Sequence, residues 1–237
     1  MSLHFAFLVL EEHPYGREML RILLENDLVP RMIIQEVSMV GDVEREKFLM
    51  RIANQPVPPR LTQLISGRKI PAYYVSNHND DTCKELLEAD IPDLLVLGGT
   101  RIIKPKILEL PRQSTVNSHP GLLPWLRGSA SVGWALYKDM PQGATVHFVE
   151  PGIDTGDIIV SRQLPVYRHD TYESINHRIA ILAGELMAEA VSSIKNGDAS
   201  RTPQDPSSGE TFKVIPDDLL EEGKIRLEEG RYSHFAD

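Results

Sequence analysis

The sequence predicts an α/β fold: a mostly parallel, twisted sheet with helices on both faces and a short helical tail at the C-terminus. Three observations carry that expectation. Apolar runs of strand length alternate through the first half with segments of helical period. Several of those runs are continuously apolar, as in strands covered on both faces. At 237 residues, 41% of them hydrophobic, the chain has ample material for one large core.

Taken in order, residues 3–10 form the first apolar run, which ends at Glu11 and Glu12. Pro14 suits the first turn of a helix, and Met19, Leu20, Leu23 and Leu24 give that helix an inner face. Asn26 and Asp27 interrupt it. A second strand is expected over 31–37 and a helix over 43–53, followed by a proline-rich turn at 55–60 and a short helix. Residues 70–75 read as a strand, 80–88 as a helix, and 93–97 as a buried strand ending at Gly98 and Gly99. Repeated β-α-β units imply right-handed crossovers, and hence a Rossmann-like sheet that binds ligands at the carboxyl ends of its strands. That rule brings residues 11–15, 76–79 and 98–103 to one rim.

Further strands are expected over 115–118, 144–149 and 157–160. Asp170-Thr171-Tyr172-Glu173 offers a capping start to a helix carrying Ile175, Ile179, Leu182 and Leu186, which stops near Asn196-Gly197. Residues 198–209 are polar and rich in Ser and Pro, as a linker is, and 217–229 form an amphipathic tail. No internal repeat is present. The expected organisation is one catalytic domain over 1–197, with linker and tail over 198–237.

Bulk properties exclude several classes. The net charge of −9, without a dense Lys/Arg cluster, argues against a nucleic-acid surface. Cys83 is the only cysteine, so no internal disulfide forms, and a reducing, cytoplasmic setting is the simpler expectation. The opening apolar run is too short to cross a membrane and lacks a basic leader and a cleavage site. The histidines lack metal-ligand spacing, so no metal is expected.

Two segments carry the chemistry. The first runs Asn117-Ser118-His119-Pro120-Gly121-Leu122-Leu123-Pro124, with Arg127-Gly128 following. The second runs Thr145-Val146-His147-Phe148-Val149-Glu150-Pro151-Gly152-Ile153-Asp154-Thr155-Gly156. Each continues a strand into a rim loop. Acyl transfer to an amine develops an oxyanion, to which an amide such as Asn117 donates without changing charge; one such donor is worth about 3–4 kcal/mol. His119 lies two residues along on the same side and titrates near neutrality, so it suits proton transfer. Asp154 stabilises the cationic form of His119 if the loops meet. The substrate itself supplies the nucleophile.

These elements, with Pro92-Asp93-Leu94 leading into Gly98–Ile103, resemble those of the folate-dependent formyltransferases: an Asn-x-His-Pro element followed by His-Phe-Val and Gly-x-Asp-x-Gly. The resemblance spans about residues 3–194. It implies that Asn117 and His119 polarise the formyl carbonyl and handle protons, with Asp154 positioning His119. It implies 10-formyltetrahydrofolate as donor, its pterin held between the loop of Gly99, Thr100, Arg101 and Ile102 and the loop of Val149, Glu150, Gly152, Ile153 and Asp154. Gly99 and Thr100 stand where many relatives carry bulkier residues.

Each residue also has a plainer reading. Asn117 alone is a turn former, His119 alone a structural histidine, and the glycine-flanked Asp154 alone a turn cap. His147 reads first as a satisfied core histidine and second as support for the site. Trp125 and Trp134 read as packing residues, and Cys83 as inert. The first-strand loop bears Glu11, His13 and Tyr15; two carboxylates there are expected to repel a phosphate and to receive an ammonium or sugar hydroxyls. Arg127 is held equally as loop anchor or anion contact.

The expected acceptor is therefore a small-molecule primary amine, with a nucleotide-linked amino sugar preferred to glycinamide ribonucleotide or tRNA. The alternatives are a formyltetrahydrofolate hydrolase and a non-catalytic folate-binding module. The tail at 217–237 either covers the site or contributes to a homodimer.

Overall fold

The computed structural model describes residues 3–205 and 207–237. A seven-stranded sheet forms the centre. Its strands are β1 (Phe5–Leu10), β2 (Met32–Glu36), β3 (Ala72–Val75), β4 (Leu94–Leu97), β5 (Ser114–His119), β7 (Gly143–Phe148) and β8 (Ile158–Gln163). They lie in the order β3-β2-β1-β4-β5-β7-β8. The first five run parallel, while β7 is reversed and pairs antiparallel with both β5 and β8. The Rossmann-like expectation holds.

Helices α1 (Pro14–Glu25), α2 (Met39–Arg51), α3 (Leu61–Leu64), α4 (Asp81–Ala89), α5 (Pro105–Leu108), α6 (Ser131–Tyr137), α7 (Tyr172–Asn196) and α8 (Asp217–Glu228) surround it. Side chains alternate across β1, and both faces are covered. Phe5, Phe7 and Val9 meet Met19, Leu23, Leu186 and Met187 of α1 and α7. Ala6 and Leu8 share the opposite cluster with Cys83, Leu87 and Ile107. Burial raises the Cys83 thiol to about 12, which leaves it inert as a nucleophile.

Strand order reverses at β1, whose neighbours are β2 and β4, so a crevice opens beyond the carboxyl ends of β1 and β4. α1 starts there. A Cβ at Gly16 would collide with the Gly98 carbonyl oxygen, so only glycine lets α1 seat against the end of β4.

Two differences from expectation bear on the site. α2 begins at Met39 rather than near 43, because Ser38 Oγ accepts from the Gly41 amide at 3.1 Å. Met39, Val40 and Val43 stay exposed, so their apolar character marks no inner face. The second difference lies just after the segment expected to be a linker. There, β9 (Glu210–Phe212) pairs in parallel with β6 (Leu126–Gly128). Three-residue strands carry too little period-two signal to be read from sequence. Downstream, Leu227 and Tyr232 share a cluster with Val132, Leu136 and Tyr172, so the tail packs on α6 and α7.

Candidate active site

A cavity of about 1100 Å³ occupies the crevice, and Asn117, His119, His147 and Asp154 line it together. Register explains the convergence. β5 carries Asn117 and His119 on one face, and its antiparallel pairing with β7 sets His147 opposite Asn117. The loop after β7 then returns Asp154 over them.

His119 is buried, and its Nε2 lies 2.6 Å from the Leu126 carbonyl. A carbonyl only accepts, so Nε2 carries a proton and Nδ1 is left for chemistry. Asp154 Oδ2 stands 3.3 Å from that Nδ1. Ser131 Oγ approaches Nε2 at 3.1 Å. A Cβ at Gly121 would sit 2.8 Å from Nε2, so the glycine admits the ring. Burial pulls the His119 pKa below 6.5; Asp154 opposes that and His147 reinforces it. His119 is therefore mainly neutral at pH 7, with Nδ1 open to a proton. Burial alone would raise the Asp154 carboxyl, but His119, His147 and the Gly128 amide hold it down to about 2. That amide donates to Oδ2 at 2.8 Å.

His147 was preferred as a core histidine; in the structure it joins the site. Its Nδ1 lies 2.8 Å from the Phe148 carbonyl, so that nitrogen donates and Nε2 accepts. The Asn117 amide lies 3.3 Å from Nε2, which leaves its second N–H for the cavity. Asp154 Oδ1 is 3.5 Å from the same nitrogen. The signal that could have revealed this role is the strand pairing, which sequence alone does not display.

The loop after β4 brings Gly99, Thr100, Arg101 and Ile102 to the cavity, opposite Val149, Glu150, Gly152 and Ile153. Ile102 and Ile153 are exposed at its mouth. Arg101 turns its guanidinium to buried Glu36, at 2.6 Å. Burial works against that carboxylate, yet hydrogen bonds from His78 and Ser38 hold it down to about 2. Asn79 bonds the Ile102 carbonyl at 3.0 Å and the Lys104 amide at 2.6 Å.

The first-strand loop behaves differently from the expectation. Glu12 pairs with Arg17 at 2.8 Å and accepts from the Leu61 amide. Glu11 lies 3.9 Å from Arg45. Neither lines the cavity, so neither carboxylate contacts a group bound there. His13 and Tyr15 do line it. Burial lowers the His13 pKa to about 4, and its Nδ1 is buried without a hydrogen-bond partner. The Tyr15 hydroxyl donates to the Ser118 carbonyl at 2.9 Å, tying α1 to the end of β5. Arg127 is spent on the segment after residue 203, donating to Gln204, Ser208 and Asp205, and anchors a loop rather than facing the cavity. Trp134 packs on Phe212.

Among the described residues no cluster of three His, Cys, Asp or Glu side chains suits a metal ion. Nor is any described helix long and apolar enough to cross a membrane.

Comparison with known proteins adds to this geometry. A family model described as Formyl transferase matches residues 12–191. A methionyl-tRNA formyltransferase of Syntrophus aciditrophicus is 30% identical over 177 residues, covering 74% of this chain and 56% of that protein. The chain spans about half the length of the curated relatives it matches. A sugar N-formyltransferase from Shewanella shares the fold with a TM-score of 0.66 at 14% identity, over 95% of this chain and 88% of that one. So does the formyltransferase PseJ from Anoxybacillus kamchatkensis, solved with UDP-4,6-dideoxy-4-formamido-L-AltNAc and tetrahydrofolate, at a TM-score of 0.59 and 21% identity over 94% and 97% of the two chains.

Proposed function

Because the chain belongs to the formyl transferase family, we propose that it transfers a formyl group from 10-formyltetrahydrofolate to the primary amine of a small-molecule acceptor. The observation that carries this reading is the meeting of Asn117, His119 and Asp154 at one cavity whose acceptor end needs no protein nucleophile.

The cavity suits the donor. Its volume of about 1100 Å³ is ample for a folate, and Leu97, Ile103 and Val149 give it apolar walls for a flat ring. Residues 99–102 and 149–153 would hold the pterin of the donor, which would supply the formyl group from its N10 when bound. The remaining work falls to the chain. Asn117, oriented by His147, directs its free N–H at the oxygen that gains charge as the amine attacks. His119 Nδ1 takes the proton released by the attacking amine and would return it to N10 as the C–N10 bond breaks and tetrahydrofolate leaves; between the two transfers the Asp154 carboxylate stabilises the imidazolium. The neutral resting His119 is what permits this at pH 7. Residues 1–197 carry the chemistry and residues 198–237 brace it.

A nucleotide-linked amino sugar is the preferred acceptor. Arg51 lines the cavity near His13 and, among the described residues, forms no ion pair, so an anionic substituent would find a free guanidinium there. The bound sugar nucleotide of the Anoxybacillus protein is of that type. The relatives' names favour methionyl-tRNA instead, against which stands the net charge of −9.

A screen of dTDP- and UDP-linked amino sugars, with phosphorylated amines and methionyl-tRNA as further arms, tests the reading through tetrahydrofolate release. Formyl transfer to an amino sugar supports it. Turnover with tRNA alone moves the acceptor to that class, and release without any amine identifies a hydrolase.

A further inference from the structure

Outside the cavity, a connected polar cluster lies where residues 202–205 and 207–212 cross the Asp154 loop. Gln204 Nε2 donates to the Asp154 carbonyl at 2.9 Å and to the Gly156 carbonyl at 2.7 Å. Its Oε1 accepts from Arg127 Nε at 3.3 Å and Nη2 at 3.2 Å. The amide cannot be flipped, because carbonyls only accept and a guanidinium only donates. All four hydrogen-bonding positions of this one side chain are thus assigned.

Arg127 is 4% exposed and continues the network to the Ser208 carbonyl at 2.9 Å and the Asp205 carbonyl at 3.3 Å. It belongs to β6, which β9 holds from the same segment. The next residue, Gly128, gives the N–H that caps the Asp154 carboxylate at 2.8 Å. Both ends of Asp154 therefore depend on one strap: its carbonyl through Gln204, its carboxylate through β6.

The backbone of Asp154 explains why such restraint is needed. Its φ is 54°, in the left-handed region that a side chain other than glycine adopts at a cost of about 1–2 kcal/mol. Gly152, at φ 125°, adds freedom just before it.

We infer that Gln204 and Arg127 are positioning residues, and that the strap at 202–212 keeps Asp154 in register with His119. The catalytic consequence rests on the formyltransfer reading, whereas the positional claim does not. The groups facing His119 are Asp154, His147, Ser131 and the Leu126 carbonyl. Of these only Asp154 is an anion, so the titration of His119 reports on its position without any substrate.

Histidine NMR of the ligand-free chain tests the claim. Asp154→Asn should lower the His119 midpoint by about one pH unit, through loss of the carboxylate. Gln204→Ala should move it in the same direction, and the Asp154→Asn/Gln204→Ala pair should lie no lower than Asp154→Asn alone. Gln204→Met keeps the volume and serves if the alanine variant does not fold. In the formyl-transfer assay, Gln204→Ala should lower kcat about 10- to 100-fold with tetrahydrofolate affinity unchanged. An unmoved His119 midpoint in folded Gln204 variants, or a shift fully additive with Asp154→Asn, overturns the inference. If the titration follows the strap but no amine is formylated, the positional claim stands and the functional reading fails.

Discussion

Two loops face each other across the cavity, and they are held in different ways. Residues 98–104 are fixed by neighbours from the first half of the sheet: Glu36 under Arg101, and Asn79 under Ile102 and Lys104. Residues 149–156 are fixed by groups distant in sequence, Gly128 and Gln204. The first anchor is a buried charge that keeps one wall of the cavity in shape. The second is a set of hydrogen bonds from uncharged donors that keeps a carboxylate against a histidine. Damage to the first should therefore appear in donor binding, and damage to the second in turnover.

The largest effect is expected at the tip of the second loop. Asp154→Asn should reduce kcat roughly 100- to 1000-fold while tetrahydrofolate binds as before, a split seen by steady-state kinetics beside fluorescence titration. Asn117→Ala should fall in the same range, because it removes the donor to the developing charge.

Glu36→Gln attacks the first loop and should reverse the pattern. It leaves Arg101 and His78 facing a neutral amide in a buried place, so stability should fall by about 1–3 kcal/mol by chemical denaturation. The donor KM should rise about tenfold, with kcat little changed; a fall in kcat alone would erase the distinction between the loops.

Acid sensitivity sharpens the same comparison. The Glu36 carboxyl titrates at about 2 in the folded chain against 4.5 for a free glutamate. A depressed carboxyl stabilises the fold above the unfolded value and loses that contribution as pH falls through the folded one. Wild type should thus lose stability between pH 4.5 and 2, and Glu36→Gln should lose less over that interval, as urea midpoints across pH would record. The smallest effect belongs to Asn79→Ala, which frees Ile102 and Lys104 at an exposed edge and should raise the donor KM about two- to threefold.

Asn117, His119 and Asp154 were legible as a group because the Asn-x-His segment and the Gly-x-Asp-x-Gly segment stand in order beside apolar runs that mark their strands. Parallel topology does not supply that grouping, since β7 runs antiparallel to β5 and only the return of the loop after β7 brings Asp154 to His119. His147 was legible only as a second reading, and Gln204 not at all. The first depends on antiparallel register, the second on a polar segment with no periodicity of its own. Glu11, Glu12 and Arg127 looked available to a substrate because charge is visible in a sequence and its partner is not.

The sequence by itself determined the alternation of strands and helices, the two-sided burial of the sheet and the residue types of the reacting centre, since these follow from local periodicity and composition. Tertiary structure alone decided which charges remained free, which nitrogen of each histidine faces the cavity, and that residues 202–212 brace Asp154. Those outcomes depend on pairings between distant segments, in which the free energy of burying a polar group is offset only by a partner that chain proximity does not supply.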